Sequence, residues 1–367
     1  MADGSRRPVV TWIATGGTIE ARGHDRMDRT AYGESQRRVP PRDLVAELPE
    51  LDDVAEVRVT SWSPTDDDAR TGHDDAGDTY DAGDTDTARP PSHAWTVEDL
   101  AALARRVTRE AADPEATGVV VSCGTNGLEE VTFLLSLTVG GRVPVVVTGA
   151  MRPASALGGD GPSNLLDAVR VAADPASAGR GVLVVFDGSI LAARDAAKTA
   201  TYRLDAFRSP EFGPLGVADA DGQVVYSRRP EETPPDPPFD PTALPGALPR
   251  VDVVVSFLGA DGALVDAAVA AGAAGIVSAG LGGGYPTPAE QAALERAAGE
   301  GVLVCQASRV GSGRVVPHAG TRAGGFVAAG DLSPWKARLL LTLALAEKLP
   351  AADVQRLFAH PSIDVRT

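Results

Sequence analysis

The feature that most restricts this chain is a repeated alternation. Runs of β-branched and other apolar residues at 9–14, 57–61, 118–122, 144–148 and 181–186 are separated by segments of helical period at 42–48, 96–112, 128–138 and 162–173. Each apolar run is continuous, the pattern of a strand covered on both faces. Strands that alternate with helices build a parallel, doubly wound sheet. Local chemistry agrees. Thr96 is placed to cap its helix, with Asp99 as the reciprocal carboxylate three residues on, and Pro162 occupies an expected first helical position. The rhythm stops at 230–249, a stretch with eight prolines. Proline fixes φ and stiffens the chain, so this reads as an interdomain linker. Beyond it the alternation resumes at 251–258, 263–271, 275–279, 288–298, 302–307 and 334–347. The expected architecture is α/β: a larger N-terminal domain over 1–229, the linker over 230–249 and a smaller C-terminal α/β domain over 250–367.

Composition removes several classes of function. The 367 residues suit about two domains of ~150 residues each. Lys and Arg number 34 against 50 Asp and Glu, a net charge of -16, so the chain is a poor partner for nucleic acid. Two cysteines, Cys123 and Cys305, make no disulfide framework and no cysteine zinc site. The five histidines are scattered with no HExxH pairing, so no metal and no cofactor is expected. No apolar run reaches the ~18 residues of a membrane span, and the apolar stretch near the N-terminus is too short for a secretory leader. The expected location is the cytoplasm, with no membrane partner. Residues 66–90 form an acidic insertion; 66–87 carry nine aspartates and almost nothing apolar. Such a segment cannot bury enough surface to offset its ordering entropy, so a flexible, solvated loop is expected. Clustered carboxylates also suit Ca²⁺, but the spacing fits no EF-hand loop.

Chemistry-bearing residues gather at the predicted strand ends, where α/β folds place their ligands. The first strand runs into TGGTI at 15–19, in which two glycines permit a sharp turn between two hydroxyls. It is neither a P-loop nor a GxGxxG fingerprint. The third strand runs into VSCGTNGLEE at 121–130, and the fourth into TGAMRP at 148–153, followed by DGPSN at 160–164. ARDAAK at 193–198 and FRSPEFGPLG at 207–216 come next. With RGVLVV at 180–185, GIVSAG at 275–280 and GFVAAG at 325–330, this ordered series resembles the bacterial L-asparaginase/glutaminase family across nearly the whole chain.

The resemblance implies a metal-independent amidohydrolase that splits an amide through an acyl-enzyme. Thr18 would be the attacking hydroxyl, whose proton must pass to a positioned neighbour during attack. Tyr32 is the candidate for the family's lid tyrosine. Thr125 matches the second threonine and Lys198 its lysine partner, and a buried lysine can shed its charge and take a hydroxyl proton. The backbone N–H of Ala150 falls where the family stabilises an oxyanion. Ser92 matches the hydroxyl that binds a substrate carboxylate. The resemblance also implies a homotetramer, a dimer of dimers with active sites shared between subunits.

The departures from the family pattern are specific. His-Gly-Thr-Asp-Thr is replaced by Cys123-Gly124-Thr125-Asn126-Gly127, so a carboxylate that would hold the substrate's α-ammonium becomes the neutral Asn126. His93 replaces an amide or hydroxyl ligand. Counting back from 325–327, His318 falls where a neighbouring subunit would contribute a glutamate. Each lost charge-assisted contact is worth ~1.5–3 kcal/mol, and two together weaken transition-state binding of free asparagine by roughly 10²–10⁴-fold. The expected substrate is therefore a small amide without a free α-ammonium, an N-blocked or modified asparagine or aspartate derivative from a specialised biosynthetic setting. Two other readings stand beside it: an ordinary L-asparaginase/glutaminase of low efficiency, and a ligand-binding pseudoenzyme. Strand alternation puts Cys123 on the side of Thr125, but its expected role is an inert core thiol, as for Cys305.

Overall fold

The computed structural model describes residues 7–35, 37–64, 89–140, 142–228, 237–317, 321 and 324–359. The acidic stretch 66–87 and His318 lie outside the described residues. The chain divides into two compact units, Met1–Asp236 and Pro237–Thr367.

The first unit is built on an eight-stranded sheet. β1 (Val9–Ala14) is buried along its full length, and it pairs in parallel with β2 (Glu56–Ser61) on one side and β3 (Gly118–Ser122) on the other. β4 (Val145–Thr148) and β5 (Val182–Phe186) extend the parallel part beyond β3. The crossovers use α1 (Pro41–Ala46), α2 (Val97–Ala112), α3 (Leu128–Thr138) and α4 (Gly161–Ala173). On one face α4 sets Leu165, Ala168 and Ala172 against Trp12, Val120, Val146 and Leu183. The intervening strand residues Ile13, Val119, Val121 and Val147 are also buried, so both faces are covered, as a doubly wound sheet requires. The Thr96 hydroxyl accepts from Asp99 N, and the Asp99 carboxylate accepts from Thr96 N, completing the capping box of α2. α4 begins one residue earlier than its proline suggests: Asp160 stands at the N-cap position, Gly161 is its first residue and Pro162 its second.

The sheet is not parallel throughout. β6 (Ser189–Ala192) turns back antiparallel on β5, and β9 (Gly216–Ala218) and β10 (Val224–Tyr226) continue antiparallel to the edge. The reversal is a two-residue hairpin at Asp187–Gly188, where φ is 49° and 71°. Asp-Gly is the strongest short-range hairpin signal, because both central residues of that turn need positive φ. Between β6 and β9 lies a small ribbon of β7 (Ala197–Lys198) and β8 (Phe207–Arg208).

The second unit carries a four-stranded sheet. β11 (Val251–Val255), β12 (Gly275–Gly280), β13 (Leu303–Ser308) and β14 (Val327–Ala328) are parallel. α5 (Ala263–Ala270) and α6 (Pro288–Gly299) pack Val265, Ala293 and Leu294 against Ile276 and Val304. α7 (Pro334–Ala346) packs on β11 to β13 and α8 (Ala351–Ala359) against β14. The proline-rich stretch read as linker to 249 joins this unit from Pro237, and its Phe239 and Leu244 are buried. Those two apolar side chains give residues 237–249 a packing role that their prolines alone do not suggest.

Candidate active site

Strand order β2-β1-β3-β4 reverses direction at β1. The connection from β1 goes to one side, and the sheet grows from β3 on the other. At such a switch point the loops leaving the carboxyl ends of two adjacent parallel strands diverge and open a crevice. Both threonine motifs leave the sheet there, TGGT from β1 and GTN from β3.

Gly16 and Gly17 turn the chain with φ of 92° and 90°, a region that β-carbon-bearing residues rarely adopt. A Cβ on Gly17 would stand 2.6 Å from Gly124 N, so the two turns are in backbone contact. Thr15 ties them together, its N and Oγ1 both donating to Ser122 O at 3.1 and 2.8 Å. Trp12 Nε1 donates to Ser122 Oγ beneath them. Thr18, 7% exposed, places Oγ1 2.9 Å from Tyr32 Oη. Tyr32 opens a short 3-10 turn, Tyr32–Ser35. Its loop is held at the base by the bond from Arg22 N to Arg37 O, and by Ser155 Oγ, which accepts from Gly23 N. Asp28 braces the middle by accepting from His24 N and Ala31 N, and these bonds hold its carboxyl below its ordinary value.

Thr125 is also 7% exposed and accepts from Lys198 Nζ across 2.9 Å. The ribbon β7–β8 delivers this lysine, and the Glu129 carboxylate fixes its backbone by accepting from Lys198 N at 3.1 Å. Burial lowers the Lys198 pKa, because desolvation disfavours the ammonium. The same ammonium lies 3.5 Å from Asn126 Oδ1, and Asn126 Nδ2 lies 3.4 Å from His93 Nδ1. Both ammonium contacts thus go to neutral oxygens. Ser92 braces the turn from the side: its hydroxyl donates to Gly124 O at 2.9 Å and accepts from Gly127 N at 3.2 Å. In this arrangement its proton is committed to the backbone, not offered to a substrate carboxylate. Cys123 is fully buried, and desolvation pushes its thiol up to about 12, which leaves no thiolate near neutral pH.

Ala150 is buried in the turn after β4. Among the described residues its N–H has no partner, while the next two N–H groups, of Met151 and Arg152, donate to the two oxygens of Asp160 at 2.8 and 2.9 Å. Asn164 Nδ2 donates to Gly149 O and to Asp160. The DGPSN segment therefore holds the 149–152 backbone in place. Asp160, Asn164 and Glu129 have this work as individuals only in the structure. In the sequence their signal is their position at or just inside helix starts that follow the strand-end motifs. A further pair, Glu20 and Arg89, is absent from sequence reasoning altogether. Arg89 falls within the 66–90 stretch expected to be a flexible, solvated insertion, yet it is only 11% exposed and ion-paired with Glu20 at 3.0 Å.

The structure thus brings Tyr32 to Thr18, Lys198 to Thr125 and Asn126, and His93 to Asn126, around two touching turns. The site holds two hydroxyls, each hydrogen-bonded to a titratable side chain, with the buried Ala150 in the turn after the neighbouring strand. No group of three or more His, Cys, Asp or Glu side chains arranged to hold a metal ion occurs among the described residues. Among them, too, no helix is long and apolar enough to cross a membrane.

Comparison with known proteins agrees with this construction along the chain. Residues 9–232 match the family model "Asparaginase, N-terminal" and residues 250–358 match "Glutaminase/Asparaginase C-terminal domain". The chain is 36% identical over 354 residues to "L-asparaginase 2" of Escherichia coli, covering 96% of this chain and 92% of that one. It is 35% identical to "Probable L-asparaginase periplasmic" of Haemophilus influenzae, covering 98% and 94%, and 30% identical to "Glutaminase-asparaginase" of Pseudomonas aeruginosa, covering 95% and 89%. The crystal structure of a probable cytoplasmic L-asparaginase from Campylobacter jejuni superposes with a TM-score of 0.84 at 30% identity, over 96% of this chain and 99% of that chain. The chain belongs to the asparaginase/glutaminase family of amide hydrolases.

Proposed function

We propose that this protein hydrolyses the side-chain amide of an asparagine derivative whose α-amino group is blocked, through an ester on Thr18. The observation that carries the reading is Asn126. It stands between the Lys198 ammonium at 3.5 Å and the His93 ring at 3.4 Å, at the position where the family pattern has a carboxylate. A free α-ammonium placed there meets an amide, an imidazole and another cation. An acylated nitrogen carries no charge, and it offers an N–H and a carbonyl that Asn126 and His93 can both satisfy.

In the proposed reaction Thr18 Oγ1 attacks the amide carbon. Tyr32 Oη accepts the threonine proton while passing its own to the departing nitrogen. The Ala150 N–H faces the oxygen that gathers charge. Ammonia leaves, and water then cleaves the Thr18 ester, with the Thr125–Lys198 pair as the base that takes the proton of that water. The neutral amine this requires is favoured by the burial of Lys198.

Assembly is part of the proposal. In this reading a neighbouring copy of the chain contributes His318 to each site, as the family resemblance implies. In support, the second unit exposes Val255, Phe257, Leu258 and Leu264, close together in sequence between the end of β11 and the start of α5, by about half or more of their surface, a feature that suits an interface. The location proposed is the cytoplasm.

The test is ammonia release from free L-asparagine, N-acetyl-L-asparagine and an asparaginyl peptide, with Thr18→Ala as the blank. Release from the blocked compounds above that from free asparagine supports the proposal. Faster release from free asparagine overturns the substrate assignment and leaves an ordinary asparaginase. Equal signal from Thr18→Ala and the parent protein overturns the threonine mechanism.

A further inference from the structure

Behind the Thr18 turn lies a buried charge cluster to which the proposed reaction gives no task. Glu20 is 1% exposed. One of its oxygens accepts from Gly16 N at 2.9 Å and the other from Arg89 Nη1 at 3.0 Å. Both oxygens are acceptors; burial raises the pKa of this carboxyl, and the Arg89 and Arg38 guanidinium groups oppose that rise. Arg89 also donates to the ends of two strands: Nη1 reaches Ala14 O at 3.3 Å and Nη2 reaches Ser61 Oγ at 2.7 Å. Ala14 and Ser61 are the register partners that close β1 and β2. Arg38 adds a second guanidinium, donating to Arg89 O at 3.0 Å.

A buried carboxylate between two guanidinium groups is costly to desolvate and is weak evidence of stability. What it does supply is geometry. Gly16, in the left-handed region, has no sheet partner for its N–H, and Glu20 provides one within the same turn. Arg89 stands three residues before Ser92, and the two residues between them are Pro90 and Pro91, which fix φ and transmit direction. Ser92 then clamps the Thr125 turn through Gly124 O and Gly127 N. One chain of contacts runs from the Thr18 turn through Glu20 and Arg89 to the segment bearing Ser92 and His93, and on to the Thr125 turn.

We infer that Glu20 and Arg89 are positioning residues, a buried strut that sets the nucleophile turn against the substrate turn. This rests on the reading of the Thr18 turn as the reacting site. The pair touches no substrate and acts through Gly16 and Ser92. Its loss therefore lowers turnover more than substrate affinity, since a misplacement of ~1 Å can cost up to ~10²-fold in rate.

The experiment compares Glu20→Gln, Arg89→Met and the double variant E20M/R89M with the parent chain. Melting temperature, kcat and KM are measured on whichever amide the parent turns over. Hydrogen exchange is followed in the peptides covering 14–20 and 90–95. Arg89→Met strands a buried carboxylate and is expected to lower both the melting temperature and kcat. The double variant removes both charges, and apolar replacement of a buried pair commonly restores stability. It is expected to regain the melting temperature while kcat stays about 10- to 100-fold down, with KM within about twofold. Exchange in both peptides is expected to rise together. Recovery of kcat along with the melting temperature would make the pair merely structural and overturn the inference. So would exchange that rises in one peptide alone. If the parent turns over no amide, the amidase reading has failed, and the coupled exchange still decides whether the strut joins the two turns.

Discussion

Lys198 Nζ donates to the Thr125 hydroxyl across 2.9 Å, joining a strand-end turn to a two-residue strand 73 positions further on. An ammonium that donates cannot at the same moment accept a proton. The contact becomes a base only when the lysine is neutral, and burial moves that point down from the ordinary 10.5.

Two consequences of opposite kind follow for Lys198. Activity should rise with pH through the lowered pKa, with a midpoint below 10.5, and Lys198→Arg, which stays charged, should lose that rise. Stability has its own sign. The folded pKa lies below the unfolded one, so between them the unfolded chain binds more protons and stability climbs with pH. Below that window, where the ammonium persists in both states, the buried charge is a constant cost. Lys198→Met should therefore raise the melting temperature at pH 7 while abolishing turnover. A kcat profile for the first claim and calorimetry of Lys198→Met for the second are the checks. A variant that melts lower at pH 7 would contradict the burial argument.

Asn126→Asp restores a carboxylate within reach of Lys198 and His93. An added counter-charge should favour a free α-ammonium by ~1.5–3 kcal/mol. That corresponds to roughly 10- to 10²-fold in relative kcat/KM for free asparagine over its N-acetyl derivative. The new charge also favours the ammonium form of Lys198, so the alkaline rise in activity should move to higher pH. The ratio of the two kcat/KM values, in variant and parent, measures the first effect, and an unchanged ratio removes Asn126 from specificity.

The frame of both units is legible because continuous apolar runs admit few arrangements. Runs such as 118–122 and 128–138 leave only strand and helix as solutions, and the structure has β3 and α3 there. The turn glycines are equally legible, since Gly16 and Gly17 sit at a strand end between hydroxyls. The antiparallel edge is not. β6, β9 and β10 are three or four residues long, too short to show a period, and their one clear signal, Asp187–Gly188, is a dipeptide. The Glu20–Arg89 pair is illegible for a different reason. Charged residues read as surface, and nothing local marks two side chains 69 positions apart as partners. Whether Tyr32 meets Thr18 is likewise a property of a loop path that local propensity does not encode.

Cys123 should be chemically silent. It is fully buried and its thiol is pushed up to about 12, so thiolate-directed alkylation of the native protein should be negligible at pH 7.5 and appear only on unfolding. Cys123→Ala should keep kcat, at a stability cost of about 1 kcal/mol for a small core truncation. Mass spectrometry after iodoacetamide treatment of native and denatured protein checks the first point. Native labelling with loss of kcat would return the thiol to the mechanism.

Gly17→Ala tests how closely the two turns must approach. The new methyl would meet Gly124 N at 2.6 Å, with the backbone at a φ of 90°. Neither side can retreat freely, because Thr15 holds the turn to Ser122 O through two bonds. Strained backbone alone costs about 1–3 kcal/mol, which for a unit of this size lowers the melting temperature by roughly 2–12 °C. Widening the gap between the turns should cost turnover more than tenfold, since the reacting groups sit on both sides of it. Gly299→Ala is the control. It ends α6 with nothing near its added methyl, so the melting temperature should hold or rise slightly. Equal behaviour of the two variants would mean that the Gly17–Gly124 approach is no constraint on the site.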